Sequence, residues 1–434
     1  MPDPLPPLLR AYRAMSQAAP PITRLLAKRR VKQGKEDPAR LGERRGIAGR
    51  PRPSGPLIWI HGASVGEVLA AAALIEQLRT RGFNVLVTSG TVTSAAIVAR
   101  RFPSDVVHQY LPYDAPKFVA RFLDHWQPSL ALFVESDLWP NLILACSARR
   151  LPMVLINGRM SPRSFPRWQR AAQTIAALLG RFDICLAQSQ VDAERFAALG
   201  AESVAVTGNL KWDVEAPPAD NVRLERLMAL TRGRQVVVAA STHPGEEEII
   251  LAAHKKLATY FPGLLTVIVP RHPQRGEAVA KQVADAGLEV ALRSHEELPG
   301  ARTGVYVADT MGELGLFYRL APIVFMGGSL VPHGGQNPIE PAKLGAAIVH
   351  GPHVFNFTEV YDAFDRAGGA RLAAGERELV QEIGRLLRDT RERQASIAAA
   401  EQVVADLGGA LDRTLDSLRP YLLQLRFDRG AADA

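Results

Sequence analysis

The chain has 434 residues, 47% apolar and 22% charged, a balance that excludes a disordered or fibrous protein and fits two domains of ordinary size. Its net charge of +8 is concentrated, because residues 1–56 hold 13 Lys/Arg against 4 Asp/Glu and the rest of the chain is close to neutral. Two cysteines, Cys146 and Cys185, lie in apolar runs without metal-ligand spacing, so both are expected as small buried hydrophobes.

Residues 1–55 read as a basic amphipathic segment. Leu8, Leu9, Tyr12 and Met15 can share one helical face, and Ile22, Leu25, Leu26 and Arg29 another. No run of about 20 apolar residues occurs there, which excludes a conventional membrane-spanning helix, and the pattern of a signal peptide is missing. Short amphipathic helices beside a basic cluster suit the surface of an anionic leaflet. A loose basic arm is the plainer alternative.

From residue 56 onward, short β-branched runs alternate with amphipathic stretches. Leu57–His61, Asn84–Thr88, Leu130–Glu135, Met153–Asn157 and Ile184–Gln188 are predicted strands; Val68–Arg81, Ala95–Arg101, Pro116–His125, Asn141–Arg150 and Ala171–Leu179 are predicted helices. Strict alternation implies right-handed βαβ units and a parallel sheet covered on both faces. The stretch 214–221 has linker composition. The alternation then resumes with strands at Val236–Ala240, Leu265–Val269, Val305–Val307, Ile323–Met326 and Ala347–His350, and a nearly continuous helical run over Arg377–Leu418. The expected division is a first domain over 56–213, the linker 214–221, a second domain over 222–420 and a tail 421–434 returning to the first. The fold class is α/β, with two doubly wound Rossmann-like domains facing a central cleft. Ligands of such sheets bind beyond the C-terminal strand ends. Neither GxGxxG nor GxxxxGK[ST] follows a strand, which argues against a dinucleotide dehydrogenase or a P-loop NTPase.

The loops leaving the strands carry the chemistry. Strand one runs into His61–Glu67 (HGASVGE), placing Glu67 in the first turn of a helix. Ser64-x-x-Glu67 is also a capping box, so the carboxylate fits a cap or a general base. Glu135-Ser136-Asp137 puts two carboxylates at another strand end, and Ile156–Ser161 adds the cation Arg159 at the next. Lys211 lies in Gly208–Asp213 (GNLKWD) at the domain junction.

In the second half, Ser241–Glu246 (STHPGE) offers hydroxyls and amides at a helix start, a place for an anion. Pro270–Pro273 (PRHP) follows another strand, and Met311–Leu314 (MGEL) opens a helix. The glycine-rich run Gly327-Gly328-Ser329 leads through His333–Gln336 to Asn337–Glu340 (NPIE). Its glycines allow backbone amides to crowd a phosphate, and Glu340 could bind a ribose hydroxyl pair.

Together these eight motifs, in this order from Ile60 to Glu340, resemble the Kdo transferases, glycosyltransferases of GT-B architecture that move 3-deoxy-D-manno-octulosonic acid (Kdo). The resemblance implies transfer from CMP-Kdo to the lipid A precursor, with inversion and with no metal or cofactor. It implies Glu67 as proton acceptor, with Glu135 and Lys211 stabilising the transition state. It further implies CMP held by Arg271 and His272, by Met311, Gly312 and Glu313, and by Asn337, Pro338, Ile339 and Glu340. The implied partners are CMP-Kdo, the lipid acceptor and an anionic membrane surface at the cytoplasmic face of the bacterial inner membrane, with no nucleic acid. Two other readings are a GT-B enzyme using a UDP-sugar and a non-catalytic membrane-surface protein on the same scaffold. The chain departs from the family pattern in His-Gly-Ala-Ser for the commoner His-Ala-x-Ser, and in Trp212 for Phe.

Overall fold

The computed structural model describes residues 5–18, 20–213 and 216–432. The chain forms two units, one of Met1–Asp213 with Gly408–Ala434, the other of Val214–Leu407. Strands of the first unit are β1 (Leu57–His61), β2 (Asn84–Ser89), β3 (Val107–Tyr110), β4 (Leu130–Val134), β5 (Met153–Gly158), β6 (Ile184–Ala187) and β7 (Val204–Val206). They form one seven-stranded sheet in the order β3-β2-β1-β4-β5-β6-β7, parallel throughout. Alternate residues feed two cores. Leu57, Trp59, Ala131 and Phe133 pack on one face, and Ile58, Ile60, Leu130 and Leu132 on the other. A parallel sheet buried on both faces explains why these strands read as continuous apolar runs.

The second unit repeats the design with β8 (Val236–Thr242), β9 (Leu265–Pro270), β10 (Val290–Leu292), β11 (Val305–Val307), β12 (Ile323–Met326), β13 (Ala347–His350) and β14 (Ala370–Leu372). Their order is β10-β11-β9-β8-β12-β13-β14, again parallel. In each sheet the direction of winding reverses beside the first strand, between β1 and β4 and between β8 and β12. Loops leave such a switch point on opposite sides and open a crevice at the strand C-termini.

The structure moves three features from their expected places. The helical run after residue 376 ends the second unit at Leu407 and not at 420. Gly408-Gly409 breaks it, with Gly409 at φ +73°, and a new helix spans Ala410–Ala432. Asp213 fixes that restart by accepting the backbone N–H of Gly409 at 2.7 Å and that of Leu411, while Arg413 donates to the Thr207 carbonyl. Leu415, Leu418, Leu422 and Leu425, spaced three and four apart, then bury one face in the core on the Ile58 and Ile60 side of the sheet. The helix expected over Val68–Arg81 is two, Val65–Ala70 and Ala72–Thr80.

The basic N-terminal segment is not a separate arm. Helices span Pro7–Gln17 and Pro20–Lys32, and Leu9 is 1% exposed in the first core whereas Leu8 is 61% exposed. The expected shared face of Leu8, Leu9, Tyr12 and Met15 is therefore split, since Leu9 packs inward and the other three meet solvent. Of the second expected face, the side chains of Ile22 and Leu25 lie outside the described residues. Arg44 and Glu36 form a buried ion pair at 2.9 Å, and Arg44 also donates to the carbonyls of Gly90 and Leu111. Several of the basic residues thus hold the segment to the edge of the sheet. No described helix is long and apolar enough to cross a membrane. Cys146 and Cys185 are buried free thiols, both pushed by burial up to about 12.

Candidate active site

The switch point of the first sheet gathers the acceptor-side candidates. β1 ends at His61, and Ser64 caps the helix Val65–Ala70 by accepting the Glu67 N–H. The Glu67 carboxylate turns back over this cap. Its Oε2 accepts from the Ala63 N–H at 2.7 Å and its Oε1 from the Ser64 hydroxyl at 2.8 Å. This differs from a capping box by one residue, since the amide satisfied belongs to Ala63 and not to the N-cap itself. Glu67 remains half-buried. Burial raises its carboxyl above the usual range, hydrogen bonds from Ser64 and Ala63 oppose this, and the negative charges of Glu135 and Asp137 add to it.

The loop after β4 supplies those two neighbours. Glu135 adopts φ +63°, a left-handed conformation that side chains resist and that concentrates at functional sites. Asp137 accepts from the Trp139 indole at 2.8 Å and from Nε2 of the buried His61 at 3.2 Å. Burial works to raise the Asp137 carboxyl, but the His61 hydrogen bond and charge, with Trp139, hold it below the usual range. Asp137 is thus a partner of His61 and not a helix cap. His61 is oriented in turn through Nδ1 by Thr88 Oγ1, which also accepts from Trp59.

Lys211 reaches this group from the far end of the unit, its Nζ 2.6 Å from Glu135 Oε1. The short turn that carries it, Leu210–Trp212, is fixed at both sides. Asn209 Oδ1 accepts the Lys211 N–H, and Asn157 Oδ1 accepts the Leu210 N–H at 2.9 Å. Asn157 is fully buried, stands at φ +51° in β5, and belongs to the INGRMS motif. That motif therefore acts by positioning Lys211 as well as by presenting the exposed Arg159. The link between Asn157 and Lys211 was not visible in either motif alone.

In the second unit the glycine-rich turn does something other than what its composition suggests. Glu246, fully buried in the first turn of Glu246–Ala258, accepts the N–H groups of His243, Gly328, Ser329 and Leu330 at 2.7–3.0 Å. The anion expected at this helix start is the protein's own carboxylate. Gly327 must be glycine because a Cβ would stand 2.5 Å from the Ser241 carbonyl oxygen. Thr242 and Arg275 both donate to the neighbouring Glu247, so the STHPGE hydroxyl is also used internally.

The nucleotide-side candidates lie at the C-terminal ends of neighbouring strands. Arg271 and His272 follow β9, and the Arg271 charge opposes the burial that raises the Glu340 carboxyl. Asn337 Oδ1 accepts the Ile339 N–H at 3.1 Å, ordering Pro338 and the helix Ile339–Ala342 that carries Glu340. Met311 and Gly312 are exposed after β11, while Glu313 is held by Arg293 and Arg223 at 2.7 and 2.8 Å. The Arg293 hydrogen bond, with Thr310 and Arg223 assisting against partial burial, pulls Glu313 down to about 2. Its carboxylate is therefore committed to ion pairs, leaving Met311 and Gly312 as the accessible part of that motif.

Two doubly wound parallel sheets in one chain are the architecture of the GT-B fold. A glycosyltransferase from Rickettsia africae aligns over 85% of this chain and 99% of its own with a TM-score of 0.54 at 12% identity. UDP-GlcNAc 2-epimerase from Neisseria meningitidis aligns over 84% and 100% with a TM-score of 0.52 at 13% identity. Sequence narrows the class. The family model for 3-deoxy-D-manno-octulosonic-acid transferase matches residues 39–214. The 3-deoxy-D-manno-octulosonic acid transferase of Haemophilus influenzae is 37% identical over 88% of this chain and 91% of its own length. That of Bordetella pertussis is 36% identical over 89% and 91%. The chain belongs to the 3-deoxy-D-manno-octulosonic acid transferase family.

Proposed function

We propose that the chain transfers Kdo from CMP-Kdo to a hydroxyl of the lipid A precursor in lipopolysaccharide synthesis, by a single displacement that inverts the anomeric carbon. The observation that carries the mechanism is the Glu67 carboxylate, raised in pKa at a switch point and flanked by Glu135 and Asp137. A base poised nearer to neutrality is worth roughly 10²–10⁴ in rate. Glu67 accepts two hydrogen bonds, and a carboxylate offers about four acceptor positions, so lone pairs remain for an incoming sugar hydroxyl.

CMP is a good leaving group, so the donor needs little acid assistance and the acceptor oxygen gains most from a base. As the hydroxyl proton passes to Glu67, the oxygen attacks the anomeric carbon and the bond to the CMP phosphate breaks. Lys211, held by Glu135, supplies fixed positive charge where negative charge shifts during transfer. Arg271 and His272, Met311 to Glu313 and Asn337 to Glu340 hold CMP, with Glu313 positioning its loop through Arg293 and Arg223. The chemistry assigned to these residues requires no metal.

A lipid-borne acceptor also accounts for the helix Pro7–Gln17. Its Tyr12 donates to Asp114, and its Ser16 accepts from Asn141, next to the Glu135–Trp139 loop. Leu8 and Met15 are exposed on it together with Arg10 and Arg13, a surface suited to peripheral contact with an anionic leaflet at the cytoplasmic side.

The test is the product mass obtained with CMP-Kdo and the tetraacylated precursor. A gain of Kdo with release of CMP is expected from the native protein, and near-complete loss of transfer with CMP binding retained from Glu67→Ala. Release of UDP from a UDP-sugar, with none of CMP, would overturn the assignment.

A further inference from the structure

The switch point of the second sheet, between β8 and β12, holds two histidines, His243 and His333, with no part in the transfer described so far, beside the CMP-side His272. His243 follows β8, and its ring stacks on His333 with centroids 4.2 Å apart and planes 19° apart. His272 meets it edge-on at 6.0 Å. His243 is 9% exposed, and its Nε2 is buried with no hydrogen-bond partner. Buried polar atoms are seldom left unmatched, and an exception at a strand end points to a ligand.

Gly328 brings a second donor to the same place. A Cβ built on Gly328 would stand 3.5 Å from His243 Nε2 and 3.5 Å from Gln336 Nε2. An imidazole and a primary amide thus both border Gly328, which stands at φ +69° and puts no side chain between them. The backbone amides of this loop cannot serve an anion there, since those of Gly328, Ser329 and Leu330 are given to Glu246. Recognition at the hollow falls to side chains. Burial, followed by the positive charges of His333, His272 and Arg271, pushes His243 down to about 4, with Glu247 opposing. The neutral ring retains one N–H to donate.

We propose that this hollow binds the carboxylate of the transferred sugar acid, with His243 Nε2–H and the Gln336 amide as donors and His333 backing the imidazole. The inference rests on CMP-Kdo as the donor. That molecule carries two acid groups, the phosphodiester and a carboxylate bonded to the same anomeric carbon. Arg271 and His272 after β9 take the first. The second must then lie immediately beside it, as β8 lies beside β9. A planar carboxylate with two oxygens matches two separate N–H donors, and its charge strengthens both hydrogen bonds.

The experiment compares His243→Ala, Gln336→Leu and the more exposed His333→Ala with the native full-length chain. It measures CMP affinity by calorimetry and kcat/KM for CMP-Kdo, with free Kdo as a competitor. Losing one hydrogen bond to a charged group predicts a fall of roughly ten- to hundredfold in kcat/KM, carried mainly by KM, for the first two variants. His333→Ala, which removes only the stacking ring, should fall by less. CMP affinity should change by less than about threefold, and free Kdo should inhibit the native protein but not His243→Ala. If CMP affinity falls in step with kcat/KM, the anion held is the phosphate and the inference is wrong. It is equally wrong if kcat/KM is unchanged in His333→Ala and Gln336→Leu, both with native circular dichroism. A native protein that binds CMP but turns over no CMP-Kdo would overturn the donor assignment itself, and this inference with it.

Discussion

Lys211 donates to the Glu135 carboxylate at 2.6 Å, although the two residues stand 76 positions apart. The contact forms because the loops after β4 and β7 both leave the C-terminal side of one parallel sheet, and because Asn157 holds the Leu210–Trp212 turn in place.

The Lys211 side chain is 40% exposed, so its ion pair contributes only about 0–1 kcal/mol to stability. Lys211→Ala should therefore lower kcat by roughly 10²–10³, as expected for a fixed charge acting on the transition state. The thermal midpoint should move by no more than a few degrees. Thermal melts and CMP-release assays on the same preparation check both halves. A large loss of stability would assign Lys211 to the fold instead.

With Glu67 as the proposed base, activity should fall as pH drops through its raised pKa. Burial is the first cause of that shift, and the negative charges of Glu135 and Asp137 add to it. Glu135→Gln removes one such charge, which lowers the Glu67 pKa. The acid limb of the kcat/KM profile should then move to lower pH, whatever happens to the maximum rate. A limb that stays put, or moves upward, would remove Glu67 from the role of base.

Glu246 is expected to be the costliest single side chain in the glycine-rich turn. Glu246→Ala leaves four backbone donors without their acceptor, and each buried orphan costs about 1–3 kcal/mol. Even with partial rehydration a loss above about 3 kcal/mol is predicted for the second unit. Urea unfolding followed by circular dichroism reads this directly.

His108 predicts acid sensitivity. Burial, then the charges of Arg40 and Arg44, pushes it down to about 3, and its ring is held by Arg40 and by Ser89 at 2.8 Å. The unfolded chain binds a proton near the ordinary value of about 6.5 while the folded chain refuses it. Stability from this site is thus full above about 6.5 and declines by about 1.4 kcal/mol per pH unit below it. His108→Asn should flatten the dependence of stability on pH between 6.5 and 5, which denaturant titrations at several pH values would detect.

The helix Pro7–Gln17 makes a separate claim. Replacing Leu8 and Met15 by Glu reverses the character of an exposed surface and leaves the buried Leu9 untouched. Cosedimentation with anionic vesicles should fall severalfold while transfer to a detergent-dispersed acceptor persists. Unchanged cosedimentation would place membrane contact elsewhere.

Much of this fold was legible in the sequence, and what escaped has a common cause. The predicted strands are the central ones, where burial on both faces leaves unbroken apolar runs. The four strands that were missed, β3, β7, β10 and β14, are the two edges of each sheet. They are only three or four residues long, and several of their side chains are half-buried or exposed, as in Val-Ala-Val of β7. The candidate site was readable to the extent that ligands of parallel sheets bind at strand ends. Glu67, Glu135 and Lys211 lie together, but the Ala63 amide on Glu67 and the His61–Asp137 pair depend on loop geometry that spacing does not encode. The glycine-rich turn was misread because the acceptor of its amides, Glu246, lies more than 80 positions away. Residues 1–55 looked detachable because charge was counted without partners, whereas Arg44 is sealed against Glu36.

The crossing at Gly408 also orders events during synthesis. The second unit is complete when Leu407 has left the ribosome, yet the first still lacks Leu415, Leu418, Leu422 and Leu425 from one core. A nascent chain paused there would carry one finished half and one with an open apolar flank. That flank closes only as the helix Ala410–Ala432 emerges.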